Sequence, residues 1–250
     1  MLAPDLAENV FAIGAGDRIV GRISGANYPK EILNVPIVGD HQLLSYEAIL
    51  SLAPDVVLAW KGGNPERQLQ HLESLGVSVE RIETSRLSDL PKQFRFLGAL
   101  LDRQKSAERL ATDFESRRQA LKSDSNRPKL NVFYELWHDP LLTVNQSSWI
   151  NDLLEECGGV NPFAASIEAV PQVSFESVLS EDVDLIIGGD ELPKNWRDKW
   201  SEWGTITAVA ENRLYTIDSD HLHRLTSRTL IAMEDVCQLI ANVRLAHGVK

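Results

Sequence analysis

Side chains that could bind a metal ion are concentrated in one short segment near the C-terminus. The segment reads DSDHLH, from Asp218 to His223. Within it, Asp220, His221 and His223 offer the carboxylate and imidazole ligands that divalent ions accept. A polar surface or cleft loop is the more common setting for such a segment. The sequence therefore predicts no metal site here, and a metal-dependent hydrolase using these residues is kept only as an alternative.

Motifs of other common catalytic sites do not occur in the sequence. It has no G-x-S-x-G, H-E-x-x-H or P-loop motif, and the G-x-G at Gly14 and Gly16 follows no predicted strand. The formal net charge of −11 disfavours binding to nucleic acid and to anionic lipid. A run of about 18 uncharged apolar residues, which a membrane-spanning helix needs, is also missing. We therefore expect a binding protein and not an enzyme.

Trp60 is the first candidate for contact with a ligand. It ends the apolar run Asp55–Trp60 (DVVLAW), which predicts a parallel strand covered on both faces. Open α/β sheets bind ligands beyond the carboxyl ends of their strands. The pair Gly62-Gly63 follows Trp60, and glycine lets the backbone approach a flat ligand closely. The alternative for Trp60 is packing in the core or at its rim.

The segments around Trp60 alternate between helical and strand patterns. Residues 45–53 predict a short helix, and residues 64–75 predict a second helix. We expect Asn64 to cap this second helix and Gly76 to end it. Residues 77–82 predict the next strand. Such β-α-β alternation indicates a doubly wound α/β sheet.

One long helix interrupts this alternation. Residues 103–123 contain no Gly or Pro and have helical periodicity, which predicts a helix of about 20 residues. The segment at 123–128 then breaks the helix, and a strand at 130–136 resumes the βα pattern. We expect two Rossmann-like α/β lobes joined by a single long helix: residues 1–102, the linking helix at 103–124, and residues 125–250.

An internal repeat supports the two lobes. Residues 45–58 and 174–187 agree at ten of fourteen positions, five of them identical and five similar. The alternative is a chance likeness between two short helix–strand units. In each copy a serine predicts the N-cap, and a glutamate falls in the first turn, where the helix dipole favours a carboxylate. The pairs are Ser45 with Ser174 and Glu47 with Glu176.

The cellular compartment stays open at this point. The N-terminal residues MLAPDLAENVFAIG predict no signal peptide, which fits a cytoplasmic protein or an exported protein after cleavage. Cys157 and Cys237 fit either case. They form two buried thiols, or a disulfide that closes a loop of about 80 residues and stabilises the fold by about 4 kcal/mol.

Four segments carry a resemblance to a known family: AWKGGNPERQ, PQVSFESVL, ECGGVNPF and TIDSD with the arginine after it. They resemble the cobalamin-binding members of the helical-backbone (class III) periplasmic binding proteins of bacterial ABC importers. The resemblance covers about Ala3 to Ala241. AWKGGN-x-ERQ is specific to the cobalamin binders, whereas the other segments are shared with haem- and siderophore-binding relatives.

The resemblance implies both a fold and a function. The fold is the class III architecture of two lobes around a rigid helix. The function is capture of cobalamin (vitamin B12) in the cleft between the lobes and its delivery to the membrane permease. The resemblance also implies a periplasmic monomer whose signal peptide has been removed and whose first strand is clipped. It implies no cofactor and no resident metal.

The resemblance assigns roles to individual residues. Glu47 and Glu176 match two glutamates, one in each lobe, that dock onto arginines of the permease. Cys157 and Cys237 match the cysteines of a disulfide. The remaining matches concern the ligand. Trp60 matches an aromatic residue of the ligand cleft, and Asp220 and Arg224 match polar residues that hydrogen-bond the ligand's amides and phosphate. Four further positions carry aromatic rings in relatives but not in this sequence: Gly25, His41, Leu142 and Val170.

The exchange of four rings keeps other ligands open. The alternatives are another corrinoid, haem or an iron-siderophore bound by the same fold. Tyr28 and Trp137 lie near the altered positions and can replace lost contacts. An imidazole at His41 could face a metal centre in the ligand, although a polar cleft residue is the simpler interpretation.

Overall fold

The computed structural model describes residues 1–124 and 127–246, and the chain divides into two compact units. Unit 1 comprises Met1–Thr84 and Ser88–Glu115. Unit 2 comprises Ser85–Leu87 and the described residues from Ser116 onward. The predicted lobe boundaries stay predictions. Residue 125, the predicted start of the second lobe, lies outside the described residues, as does part of the predicted break at 123–128.

Unit 1 contains a parallel pair of strands. Strand β1 (Val57–Trp60) pairs with β2 (Val79–Ile82), with Val57 opposite Val79. Short 3-10 helices lie at Gly16–Arg18, Lys30–Asn34 and Leu87–Asp89. The α-helices are α1 (Pro4–Ala12), α2 (Tyr46–Ser51), α3 (Glu66–Ser74), α4 (Leu90–Leu100) and α5 (Gln104–Leu121), which continues into unit 2.

The start of helix α3 differs from the prediction. The N-cap is Pro65, and no side chain caps the helix. The side chain of Asn64 instead accepts the backbone N–H of Trp60 at 2.7 Å and donates to the carbonyl of Leu2 at 2.8 Å. The predicted Asn64 cap is therefore wrong, because this amide fixes the end of β1 and not the start of α3. The end of α3 is as predicted, with Gly76 at a φ of +85°.

Unit 2 contains a four-stranded parallel sheet in the order β4-β3-β5-β6. The strands are β3 (Leu130–Glu135), β4 (Gly159–Val160), β5 (Leu185–Gly189) and β6 (Leu214–Ile217). A 3-10 helix lies at Ser201–Trp203. The α-helices are α6 (Trp149–Glu156), α7 (Phe175–Leu179), α8 (Trp196–Trp200), α9 (Thr207–Ala210), α10 (Ser219–Leu222) and α11 (Thr229–Ala246).

Aromatic packing holds helix α7 in unit 2. The ring of Phe175 meets Trp200 edge-on at 4.8 Å and stacks on Trp203 at 5.5 Å. The buried Glu135 carboxylate accepts the indole N–H of Trp200 at 2.6 Å and contacts His138 Nδ1 at 2.5 Å. Burial raises the pKa of Glu135, and these two hydrogen bonds oppose that rise.

A disulfide joins Cys157 and Cys237, whose Cα atoms lie 4.6 Å apart. It links the residue that ends α6 to the middle of α11. This confirms the pairing that the resemblance implied. The long predicted helix at 103–123 is also present, as α5 over Gln104–Leu121. Across residues 1–124 and 127–246, no helix has the length and hydropathy needed to cross a bilayer.

Candidate functional site

Trp60 lies at the carboxyl end of β1, as predicted, and 41% of it is exposed. Gly63 lies directly against its indole ring, because a Cβ added there would come within 1.8 Å of ring atoms. Gly62 has a φ of +86°, a conformation that favours glycine. The glycine pair thus makes room for the turn and for the Trp60 ring itself, where the sequence predicted room for a ligand.

His41 and Gly25 lie in exposed loops of unit 1. The loop that carries His41 is ordered by Asp40, whose carboxylate accepts the backbone N–H groups of Leu43 and Gln42 at 2.8 Å each. These two hydrogen bonds lower the pKa of Asp40. The His41 imidazole is therefore carried by a well-defined turn and is accessible to solvent.

Asp220 and Arg224 form an ion pair of 2.9 Å in unit 2. Asp220 is in the first turn of α10, which starts directly after β6, so the pair lies at the carboxyl end of the sheet. The indole N–H of Trp149 donates to the carbonyl of Leu222 at 2.9 Å and fastens the same turn. The two polar residues predicted to contact a ligand are thus brought together.

Leu142 and Val170 lie in the segments that follow β3 and β4. Leu142 forms bridges with Trp137 on one side and with Gln172 on the other. Val170 is exposed, and half of Trp137 is exposed. The indole N–H of Trp137 donates to the carbonyl of Asp139 at 2.9 Å. Trp137 therefore presents a fixed ring beside Leu142, one of the predicted positions that lacks a ring.

Sequence reasoning missed a chain of hydrogen bonds that runs from a buried tyrosine to an exposed glutamate. The Tyr134 hydroxyl contacts His223 Nε2, and His223 Nδ1 lies 2.9 Å from a carboxylate oxygen of Glu191. Burial raises the pKa of Tyr134, and burial lowers the pKa of His223. The sequence signal was present, since Tyr134 and Glu191 both lie near the carboxyl ends of predicted strands.

The histidines of the DSDHLH segment do not converge on one point. His223 contacts Glu191, Asp220 pairs with Arg224, and His221 Nδ1 lies 3.9 Å from Asp218. Within the part of the chain that the structure describes, no three His, Cys, Asp or Glu side chains are arranged to hold a metal ion. The geometry gives no support to a metal-dependent hydrolase.

Helices α2 and α7 place the two repeated glutamates. The Ser45 hydroxyl accepts the N–H of Ala48 at 3.3 Å, and the Ser174 hydroxyl accepts the N–H of Ser177 at 3.2 Å, so both predicted N-caps are confirmed. The exposed carboxylates of Glu47 and Glu176 follow in the first turns. The N–H of Glu176 and the hydroxyl of Ser174 lower the pKa of the Glu176 carboxyl.

Residues 1–221 match the sequence profile of the periplasmic binding proteins. The chain belongs to the periplasmic binding protein family. It is 34% identical to a vitamin B12-binding protein of Vibrio cholerae over 239 residues, which are 94% of this chain and 86% of that protein. It is 30% identical to the vitamin B12-binding protein of Pectobacterium atrosepticum over 253 residues, 98% of this chain and 88% of the relative.

Solved structures agree with this assignment. The periplasmic vitamin B12-binding protein of Vibrio cholerae superimposes with a TM-score of 0.87 at 32% identity, covering 97% of this chain and 96% of that chain. The periplasmic heme-binding protein of Roseiflexus sp. RS-1 shares the fold, with a TM-score of 0.82 at 24% identity and 97% coverage of each chain. This chain therefore has the α/β class III fold, and it is a substrate-binding protein and not an enzyme.

Proposed function

We propose that this protein captures cobalamin in the periplasm and delivers it to the permease of an ABC importer. The observation that carries the proposal is the 34% identity to a vitamin B12-binding protein over 94% of the chain. The matched region covers nearly the whole length and so spans the strand ends, where open α/β sheets bind their ligands. We expect the protein to act as a monomer.

The exposed residues at those strand ends suit the chemistry of cobalamin. Trp60 offers a flat apolar face to the corrin ring, and Trp137 offers a second ring. The Asp220–Arg224 pair offers an acceptor and a planar set of donors for the amides and the phosphate of the ligand. Gly25, Leu142 and Val170 would complete the contact surface with smaller groups.

Titration with cyanocobalamin in a calorimeter tests the ligand. We expect Trp60→Ala to weaken binding about tenfold, because the variant loses an aromatic contact together with its apolar area. Leu75→Ala is the matched control. Leu75 is also exposed, but it lies between the end of α3 and the start of β2, away from the carboxyl ends of the strands. An absence of heat and of any spectral change with wild-type protein at micromolar concentration would overturn the ligand assignment.

His41 supports haem as the second candidate ligand. Its imidazole is exposed on an ordered loop, and imidazole is a common ligand of haem iron. If haem is the ligand, hemin added to the protein gives a shifted Soret band that His41→Ala loses. Cyanocobalamin binding without a hemin-induced band favours the first proposal.

Docking to the permease is the second half of the proposed function. Glu47 and Glu176 lie on matching exposed helices, and carboxylates of this kind pair with arginines on a partner. Two equivalent carboxylates suit a permease with twofold symmetry. The double variant Glu47→Ala/Glu176→Ala should lose stimulation of the transporter ATPase while its cyanocobalamin affinity is kept. A parallel loss of affinity would place these carboxylates at the ligand instead.

A further inference from the structure

The turn that carries Asp220 and Arg224 is fastened to the sheet through His223. The backbone N–H of His223 donates to the carbonyl of Ser219 at 2.7 Å. Ser219 in turn donates its backbone N–H to the Asp190 carboxylate at 3.0 Å, and its hydroxyl accepts the N–H of Glu191 at 3.3 Å. The turn is thus tied to the residues that directly follow β5.

The imidazole of His223 has little freedom to move. Its ring lies against the backbone of Gly189, since a Cβ there would come within 3.1 Å of His223 Cε1. Tyr134, which is fully buried on β3, holds Nε2, and Glu191 holds Nδ1. The ring is therefore held at both nitrogens, and its Cε1 edge lies close to Gly189.

These contacts define the protonation state. Tyr134 keeps its proton, since burial and the nearby Glu191 and Glu135 raise its pKa, and its O–H donates to His223 Nε2 when that nitrogen carries no proton. Nδ1 then carries the single ring proton and donates a hydrogen bond to the Glu191 carboxylate, which can only accept. A neutral Nδ1–H imidazole satisfies every one of these groups.

We propose that neutral His223, held by Tyr134 and Glu191, positions the Asp220–Arg224 pair, and that protonation of His223 weakens ligand capture. The inference rests on the proposed function, because it concerns affinity for cobalamin. A second ring proton on Nε2 would force the Tyr134 hydroxyl to turn and accept a hydrogen bond, so its own proton would lose the Nε2 acceptor. The positive charge on His223 would also compete with Arg224, the next residue in the sequence, for the Asp220 carboxylate.

Burial of the imidazole, opposed by the charged groups around it, sets the direction of the pH effect. Glu191 and Asp190 after β5, and Asp220 on α10, favour the charged ring, whereas burial disfavours it and dominates. The pKa of His223 is therefore below its ordinary value of 6.5. The ring is neutral near pH 7 and becomes charged only as the pH falls through the lowered pKa of His223.

Calorimetric titration with cyanocobalamin at about pH 7.5 and about pH 5.5 tests the inference, because most carboxylates stay ionised over this range. We expect wild-type protein to bind more weakly at the lower pH. His223→Gln should bind equally well at both values, since glutamine does not titrate. The matched control His221→Gln, on the same turn, should keep the wild-type loss.

Two further measurements separate a positioning role from a merely structural one. Tyr134→Phe removes the bond that favours the neutral ring, so the pH at which affinity falls should move upward. Histidine-ring NMR of ligand-free protein should show the Nδ1–H tautomer of His223 near pH 7.5. The inference fails if His223→Gln retains the wild-type loss, if wild type shows no loss, or if the other tautomer is found. Wild-type protein that binds no cyanocobalamin at either pH would overturn the proposed function, and this inference with it.

Discussion

Helices α2 and α7 match in structure as well as in sequence, whereas the strand ends that follow them do not. Residues 45–51 and 174–180 show the same order of exposed, half-buried and buried side chains. Leu50 and Leu179 are 42% and 37% exposed. A left-handed residue follows each helix, with a φ of 43° at Ala53 and 46° at Asp182. In contrast, β1 ends in the exposed Trp60, and β5 ends in the glycine pair at 188–189.

The proposed function explains the difference by what each surface would contact. A permease with twofold symmetry presents the same site twice, so the two helices that meet it are expected to remain equivalent. Cobalamin has no such symmetry, so the strand ends that contact it are free to diverge. Trp60 at the end of β1 has no ring as its counterpart at the end of β5, where the glycine pair stands.

The largest expected effect concerns the disulfide, which only unit 2 contains among the described residues. Cys157→Ala with Cys237→Ala should lower the free energy of unfolding by about 4 kcal/mol, because the bridge restricts a long loop of the unfolded chain. Urea denaturation measures the loss. Hydrogen exchange locates it, and we expect faster exchange in α6 and α11 than in α2 and α3.

Wild-type protein treated with a reductant is the control for the cysteine pair. It should lose nearly as much stability as the double variant, because both lack the bridge. The variant differs only in the small volume that alanine removes at buried Cys157 and at Cys237. Equal acceleration of exchange in both units would show that they unfold together, and the expected difference between the units would then be wrong.

The next effect tests the equivalence of the two docking helices. Glu47→Ala alone and Glu176→Ala alone should each weaken docking by about tenfold or more, and by the same factor, since truncating one partner of an interfacial charge pair is costly. ATPase stimulation in proteoliposomes, measured against binding-protein concentration, gives both factors. Glu31→Ala with Glu202→Ala, which changes exposed glutamates elsewhere, is the control. A large loss in one single variant and none in the other would contradict equivalent docking.

Local sequence signals predicted the helices and strands between residues 45 and 82, the long helix and the strand after it. The periodic segment at 103–123 became α5, and the apolar run that ends at Trp60 became β1. Ser45 and Ser174 cap their helices because capping depends on residues three positions apart. Element ends shifted by one or two residues, and the Asn64 cap was wrong, because its amide binds Leu2, 62 positions away.

Contacts between distant segments could not be predicted. Tyr134 and His223 are 89 positions apart, and the sequence drew attention to His223 only as a metal-ligand candidate. Its buried partner became visible only in the folded sheet, where β3 and β6 lie on either side of β5. The ring of Trp60 against Gly63 is a local contact, yet it depends on a turn geometry that residue types alone do not specify.

The smallest expected effect concerns the one difference between the two caps. In α7, Ser177 also accepts the N–H of Ser174, which completes a capping box, whereas α2 has Ala48 at that position. Ser174→Ala removes the hydroxyl that stabilises the ionised Glu176, so the pKa of this carboxyl should rise toward its ordinary value.

The sign of this effect follows from the lowered pKa of Glu176. A carboxyl whose pKa is lowered in the folded state stabilises the fold above its unfolded pKa, and that contribution is lost as the pH falls through the folded value. NMR titration of the Glu176 side-chain carboxyl carbon should therefore show a higher midpoint in Ser174→Ala than in wild type. Ser45→Ala should leave the Glu176 midpoint unchanged, because the two caps lie on different helices. An unchanged midpoint in Ser174→Ala would mean that the backbone N–H of Glu176 alone sets the shift.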